Sequence, residues 1–154
     1  MVFSATPFLY GFFPLVFLLY FIWNNRVWRN AVLLAASLAF YAWGEPRLLV
    51  LMLLATLEAY LGGLLMERWK EDGRRKKAVF TITAVLLAGN LFVFKYLNFV
   101  VNNLNLLAGG RLPQPGIVLP IGISFYTFQI LSYVIDLYRG KVSVQRNFFY
   151  LLLY

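Results

Sequence analysis

Residues 48–66 read LLVLMLLATLEAYLGGLLM and residues 78–94 read AVFTITAVLLAGNLFVF, and Glu58 is the single charged side chain in the two runs. About 20 helical residues, each rising 1.5 Å, cross the roughly 30 Å hydrocarbon core of a bilayer. Two apolar runs of about this length therefore predict two membrane-spanning helices. They are separated by a charged segment that begins at Glu67 and ends at Lys77.

Further apolar runs on both sides of this pair extend the prediction to one membrane-embedded domain, residues 1–154. We predict an all-α, polytopic transmembrane helical bundle with about five spans and the start of a sixth. Residues 30–44 are a short run, which is compatible either with a full crossing through thinned lipid or with a re-entrant hairpin. The predicted spans are residues 7–23, 30–44, 48–66, 78–94 and 118–138, and a sixth begins in 147–154.

The composition requires an apolar phase outside the protein. Hydrophobic residues make up 62% of the chain and charged residues 13%, whereas soluble domains are about 45–50% apolar and about 25% charged. A small soluble domain has too much surface to hide this excess. The net charge of +8 does not indicate nucleic-acid binding, because the basic residues cluster between apolar runs as in cytoplasmic loops. The chain has no Cys, which excludes disulfides and thiolate metal sites, and it has no His.

The basic residues also predict an orientation. If every run crosses and Met1 lies outside, only Arg47, Lys95 and Arg111 of the 14 basic residues face outward. The loop of residues 68–77 is then cytoplasmic, and a hairpin of the second and third runs would leave it there too. Residues 147–154 are too apolar for an exposed tail, so we expect the chain to continue beyond Tyr154. The alternative is a short surface tail.

The fifth run carries a polar stripe. On a helix through residues 120–140, one set of polar and small residues falls within an arc of roughly 80°. Lipid cannot hydrogen-bond such side chains, so the stripe faces the bundle interior or a water-filled cavity. Two interpretations stay open, a substrate or acyl-donor passage and interhelical hydrogen bonds that hold the bundle together. The stripe consists of Gly122, Tyr126, Gln129, Tyr133, Asp136 and Gly140.

Three charged residues in or near the runs call for partners. Asp136 precedes Arg139 by three residues, which predicts an ion pair on one helix face. Glu58 is a candidate intramembrane acid that has to be protonated, paired or facing water. Lys95 follows the fourth run, and we expect it to end that helix and to extend its ammonium group to the lipid headgroups.

The fifth run also resembles a known family. Residues 119–129 read LPIGISFYTFQ and residues 138–140 read YRG, which is similar to the signature of bacterial membrane-bound O-acyltransferases. The similarity is greatest to the branch that contains the membrane subunit of alginate O-acetylation. Three further segments agree in order: MVFS at the start, FYAW at residues 40–43 and FKYLNF at residues 94–99.

The resemblance implies a multi-pass enzyme of the bacterial inner membrane that transfers acetyl or another acyl group to hydroxyls of an exported polysaccharide. The implied donor is acetyl-CoA or another activated acyl carrier on the cytoplasmic side, with no cofactor bound, and periplasmic partner proteins deliver the group to the polymer. The family's catalytic residue is a histidine in a central funnel. This sequence has none, so we expect that residue beyond Tyr154 and these 154 residues to be inactive alone.

Two other classes remain open. The polar stripe and Glu58 would suit a transporter or channel-like component, although no repeat relates the two halves of the chain. A non-catalytic membrane scaffold is the third interpretation. Solute flux after substitution of Asp136 and Glu58 would identify a transporter.

Overall fold

A computed structural model describes residues 6–44, 46–108 and 122–154, and within these ranges the regular structure is entirely helical. The predicted all-α class is therefore confirmed. Two helical segments, Leu49–Arg68 and Gly73–Leu97, are long and apolar enough to cross a membrane, and Phe8–Ile22 is a shorter apolar helix. A π-helical turn, Phe8–Phe12, precedes the helices α1 (Phe13–Ile22), α2 (Arg26–Gly44), α3 (Pro46–Arg68), α4 (Gly73–Ala108), α5 (Ile123–Tyr138) and α6 (Phe148–Leu152).

Helix α4 is much longer than the run 78–94 predicts. It continues through Lys95 to Ala108, so the prediction that Lys95 ends a helix is wrong. No Gly or Pro interrupts the chain between Lys95 and Ala108, and such residues are what usually stop a helix. The Asn residues here do not break it, since Asn103 Nδ2 donates within the helix to the Phe99 carbonyl at 2.8 Å.

The start of α4 shortens the predicted basic loop. Asp72 Oδ1 accepts hydrogen bonds from the backbone N–H groups of Arg74 and Arg75, both at 3.1 Å, as an N-cap does. The Arg75 side chain also pairs with Asp72 at 3.1 Å. The cap places the basic cluster that ends at Lys77 on the first turns of α4 and leaves a short connector after Arg68.

Two glycines in the left-handed conformation bracket α5. Gly122 has φ +84° before the helix and Gly140 has φ +74° after it, a region that non-glycine residues avoid. The prediction that both belong to the helical stripe is therefore wrong, because Gly122 lies just before the first residue of α5 and Gly140 lies after its last residue. Residues 118–121, the predicted start of the fifth run, lie outside the described residues.

The core forms where α3 packs against α4 and α5 through small residues. A Cβ placed on Gly62 would lie 2.3 Å from Thr83 Oγ1 of α4, and one on Gly63 would lie 3.1 Å from Leu137 Cδ2 of α5. Adjacent glycines thus let α3 approach two different helices at one level, the packing typical of membrane bundles. The buried apolar cluster at these contacts contains Ala55, Ala59, Met66, Val79, Leu87, Ile130, Tyr133, Val134, Leu137 and Leu151.

Contacts between the connectors define two ends of the bundle. The Lys76 ammonium lies 5.4 Å from the Tyr138 ring, and Arg146 pairs with Glu67 at 3.2 Å, so the α3–α4 and α5–α6 connectors share one end. The first turns of α2 line a cleft with α6 at that same end. We call it the basic end.

Helix α2 reaches from the basic end to the other end of α5. Its residue Tyr41 has its hydroxyl 3.1 Å from the position that a Cβ on Gly122 would occupy. Its first turns meet α6 instead, which follows α5 in the chain. Helix α2 thus has contacts at both levels of the bundle, with α6 at the basic end and, through Tyr41, near the start of α5.

Candidate functional site

The polar stripe lies on the flank of the buried face of α5. Phe125 and Phe128, which belong neither to the stripe nor to the buried face, are 76% and 60% exposed. The buried face is centred about a quarter turn away from the stripe, so only Tyr133 belongs to both. The buried residues of the helix are Ile123, Thr127, Ile130, Tyr133, Val134 and Leu137.

Tyr133 joins α5 to the connector that follows it. Its ring is buried, and its hydroxyl oxygen accepts a hydrogen bond from the backbone N–H of Gln145 at 3.0 Å. The same hydroxyl lies 3.4 Å from the position that a Cβ on Gly63 would occupy, so the absence of a side chain there makes room for it. The bond holds the connector against the contact of α3 with α5.

Asp136 forms an ion pair, although with a different partner than predicted. Its Oδ1 lies 3.9 Å from Lys141 Nζ rather than next to Arg139. The left-handed Gly140 turns the chain back, and the Lys141 backbone N–H then donates to the Asp136 carbonyl at 2.9 Å. This turn brings Lys141 to Asp136, whereas Arg139 occupies the end of the helix and is exposed.

The other two stripe residues contact different parts of the molecule. Gln129 Nε2 donates to the backbone carbonyl of Tyr154. Tyr126 is partly buried and packs against the apolar cluster near the start of α5. Gln129 and Tyr133 thus both meet Tyr154, whose ring lies 6.0 Å from that of Tyr133, whereas Tyr126 and Asp136 contact other parts of the molecule.

Glu58 is paired inside the contact of α3 with α4. Asn90 Nδ2 lies 3.0 Å from both carboxylate oxygens, in a partly buried position. An amide group has two N–H donors and an ionised carboxylate accepts at both oxygens, so the two groups are complementary. Pairing is one of the three states that the sequence allowed for Glu58.

Two contacts of α3 with the α5–α6 connector were not predicted from the sequence. The Tyr60 hydroxyl donates to the Arg146 carbonyl at 2.8 Å, and the Arg146 guanidinium pairs with Glu67 at 3.2 Å. Both link α3 to a connector about 80 positions later, and no spacing in the sequence signals them. The partner of Glu58 did have a signal, because Asn90 is the one amide in the adjacent run 78–94.

Two clefts in the described part of the bundle involve α2. One lies at the α1–α2 turn beside Trp23 and Trp28, and the other lies between α2 and α6 beside Asn30 and Asn147. Neither is lined by Tyr126, Gln129, Tyr133 or Asp136, so a passage along those residues stays a prediction. Among the described residues, no three Asp or Glu side chains come together as a metal site would need.

Comparison with known proteins identifies relatives along nearly the whole chain. Probable alginate O-acetylases of Azotobacter vinelandii and Pseudomonas aeruginosa are each 39% identical over 151 residues, which is 96% of this chain. A peptidoglycan O-acetyltransferase of Helicobacter pylori is 28% identical over 149 residues, 94% of this chain.

The match covers only part of these relatives. The chain spans 30%, 29% and 28% of their respective lengths. No family model and no solved structure matches it. The predicted resemblance to the membrane-bound O-acyltransferases is nevertheless confirmed, and this chain is related over nearly all of its length to proteins named as alginate and peptidoglycan O-acetyltransferases.

Proposed function

We propose that this chain is part of an integral-membrane O-acyltransferase that transfers acetyl, or another acyl group, to hydroxyls of an exported polysaccharide such as alginate. The observation that carries the proposal is 39% identity, over 96% of the chain, to two proteins named as probable alginate O-acetylases. The relative named for peptidoglycan supports a hydroxyl-bearing polysaccharide as the wider acceptor class.

The proposed protein is a multi-pass protein of the bacterial inner membrane with the basic end in the cytoplasm and Met1 outside. The basic α1–α2, α3–α4 and α5–α6 connectors lie at one end of the bundle. This supports the orientation, because cytoplasmic loops are enriched in Lys and Arg. The helices α1 to α5 then form about five spans, and α6 begins a sixth. Under this topology the end of α4 near Leu106 lies on the outer side.

The chemical step moves an acyl group from a thioester to an alcohol. An acceptor hydroxyl oxygen bonds to the acyl carbonyl carbon and its proton passes to a base. The bond from that carbon to the donor sulfur breaks, and the thiolate that leaves takes up the proton from the base. We propose acetyl-CoA or another activated carrier as the donor, at the basic end, and periplasmic partner proteins on the acceptor side. The sequence contains no His, so a histidine base is supplied by residues outside these 154.

The described residues position the helices and line part of the proposed passage, and they do not carry out the chemical step. The contacts of α3 with α4 and α5 fix the position of the signature helix α5. Tyr126, Gln129, Tyr133 and Asp136 are the proposed lining of a passage between donor and acceptor sides, with Glu58 as an intramembrane acid paired to Asn90. The polar stripe would complete that lining together with helices that flank it in the full protein.

Acetate on the exported polymer tests the proposal. The complete gene is expressed in an alginate-producing host that lacks its own O-acetylase, and ester-bound acetate is measured after mild alkaline release. We expect acetylation from the complete gene and none from residues 1–154 alone. A complete protein that is inserted in the membrane but leaves every tested polysaccharide unmodified would refute the acyltransferase function.

Site-directed labelling tests the orientation separately. Because the 154 residues contain no Cys, a single Cys can be introduced at Glu71 of the α3–α4 connector or at Leu106 of α4, in a protein otherwise free of Cys. A membrane-impermeant maleimide should label Leu106→Cys in cells whose inner membrane is intact and Glu71→Cys only after permeabilisation. The reverse pattern would place the basic end outside.

A further inference from the structure

The end of α4 presents an exposed face of unusual composition. Lys95, Phe99, Asn102 and Leu106 follow one another at helical spacing, and Tyr96 and Asn103 extend the same face. The side chains of Phe99 and Leu106 are 66% and 83% exposed, and the other members are exposed as well. We call these six residues the α4 end face.

The register of α3 with α4 places this face near and beyond the start of α3. Glu58 is opposite Asn90 and Gly62 is opposite Thr83, so the two helices run antiparallel. If this register continues to Pro46, where α3 begins, Pro46 lies opposite a residue roughly six to nine positions before the end of α4. The residues of α4 after that point project about 9–14 Å past α3. Those residues include Asn103 and Leu106.

The same helix passes through the membrane before it reaches this face. Counted from Ala78, about 20 residues span the hydrocarbon core and end at Leu97. Lys95 and Tyr96 then lie at headgroup level, where long cationic and aromatic side chains commonly anchor a helix. Anchoring does not explain Phe99, Asn102, Asn103 and Leu106, which lie beyond the core and remain exposed.

We propose that the α4 end face is a docking surface for a strand of an acidic polysaccharide on the side of the membrane opposite the basic end. This inference rests on the proposed function, which places an exported polysaccharide on that side. The inference extends the proposed function by naming the residues at which the polymer would contact the membrane protein itself.

The chemistry of the face suits this ligand. The flat ring of Phe99 can stack on the C–H face of a pyranose, as aromatic rings do on apolar surfaces. Planar amides offer both donors and an acceptor to neighbouring hydroxyl groups. Asn103 gives one of its N–H groups to the Phe99 carbonyl, which fixes the side chain and leaves the second N–H for a ligand.

Spacing and charge agree with the same ligand. Residues three or four apart on a helix are about 5–6 Å apart, about the width of one sugar ring, so Phe99 and Asn103 can contact a single sugar or two neighbours. The ammonium group of Lys95 is exposed at the membrane-facing edge and lies 5.3 Å from the Tyr96 ring. It complements the carboxylate of a uronic-acid unit.

Binding measurements on the full protein in nanodiscs test the site without using transfer activity. Oligomannuronates of defined length are titrated, and a neutral glucan of equal length is the control ligand. We expect Phe99→Ala, and the double variant Asn102→Ala with Asn103→Ala, to weaken binding about threefold to tenfold. Lys95→Gln should weaken binding of the acidic ligand only and remove its salt dependence.

Leu104→Ala is the matched control, because Leu104 is 46% exposed but lies on the opposite side of α4. Wild-type affinity in the Phe99 and Asn variants, an equal loss in Leu104→Ala, or no binding to the unaltered protein would each overturn the proposal. Variants that bind normally but lose acetylation would also overturn it and indicate a protein partner at this face. Binding without acetylation would refute the proposed function and leave the docking site standing.

Discussion

Helices α3 and α1 are held to their neighbours by different means. Helix α3 meets α4 and α5 through glycines, buried threonines and paired polar groups, and at Gly62 its backbone lies too close to Thr83 for a side chain to fit. Helix α1 has no buried residue. It and the turn before it meet α2 through aromatic rings, such as Phe12 and Phe40 at 5.8 Å, and through one exposed hydrogen bond from Trp28 Nε1 to the Leu19 carbonyl. In lipid, apolar burial does not drive helices together, so close backbone approach and polar pairs supply the specificity. We therefore expect the α3 contacts to be sensitive to substitution and the α1 contacts to be tolerant.

The largest expected effect is at Gly62. A methyl group there would lie 2.3 Å from Thr83 Oγ1, so Gly62→Ala should destabilise the protein by about 2–3 kcal/mol through overpacking. Unfolding by a graded detergent titration of the full protein measures the change. Gly89→Ala is the control, because nothing lies within 4 Å of that position and Ala favours a helix by up to about 1 kcal/mol.

A second substitution identifies the cause of this effect. Thr83→Ala removes Oγ1 and Cγ2, the two atoms closest to the added methyl group, so combining it with Gly62→Ala should recover much of the lost stability. If Gly62→Ala is as harmless as Gly89→Ala, the close approach of α3 to α4 is refuted.

The next effect concerns Glu58 and Asn90. Asn90→Leu leaves the Glu58 carboxylate without its donor in a partly buried site, which should cost about 1–3 kcal/mol of unfolding free energy. Replacing both residues by Leu removes the unmet carboxylate and should recover most of that loss. A double-mutant cycle measures the coupling. Additive effects of the two single substitutions would show that the pair contributes no specificity to the contact.

A smaller effect is expected at Tyr133. Tyr133→Phe keeps the buried ring but removes the acceptor for the Gln145 N–H, at a cost of about 1 kcal/mol. Amide hydrogen exchange should become faster at Gln145 and its neighbours, since the connector loses one attachment. Tyr10→Phe is the control, because Tyr10 is 82% exposed. Unchanged exchange at Gln145 would contradict the attachment.

The sequence predicted the features that depend on local apolarity. The run 48–66 lies within α3, and the run 78–94 lies within α4, because a long apolar run is a sufficient signal for a helix in lipid even where it contains glycines. The motif of α5 also identified the relatives correctly. Helix ends were predicted less well, since Lys95 does not stop α4 and Gly122 and Gly140 lie outside α5.

The partners of the candidate site residues could not all be predicted from the local sequence pattern. Asp136 pairs with Lys141 because the left-handed Gly140 reverses the chain, a geometry that helical spacing cannot represent. The bond from Tyr60 to the Arg146 carbonyl joins residues far apart in the chain. By contrast, Glu58 and Asn90 are strongly polar residues in adjacent apolar runs, so their pairing follows from the cost of leaving either alone in lipid.

The smallest effect is expected in the α1–α2 pair. Trp28 Nε1 donates to the Leu19 carbonyl at 2.8 Å in an exposed position, and the Trp23 ring packs against Trp28 at 4.9 Å. Trp28→Phe keeps an aromatic ring for that contact but loses the N–H donor and part of the indole ring, both at an exposed position. Water or lipid headgroups can replace the lost donor, so the unfolding free energy should fall by about 0.5 kcal/mol or less. A loss as large as that for Asn90→Leu would mean that α1 is also held by a specific polar bond, and the contrast between the two regions would not hold.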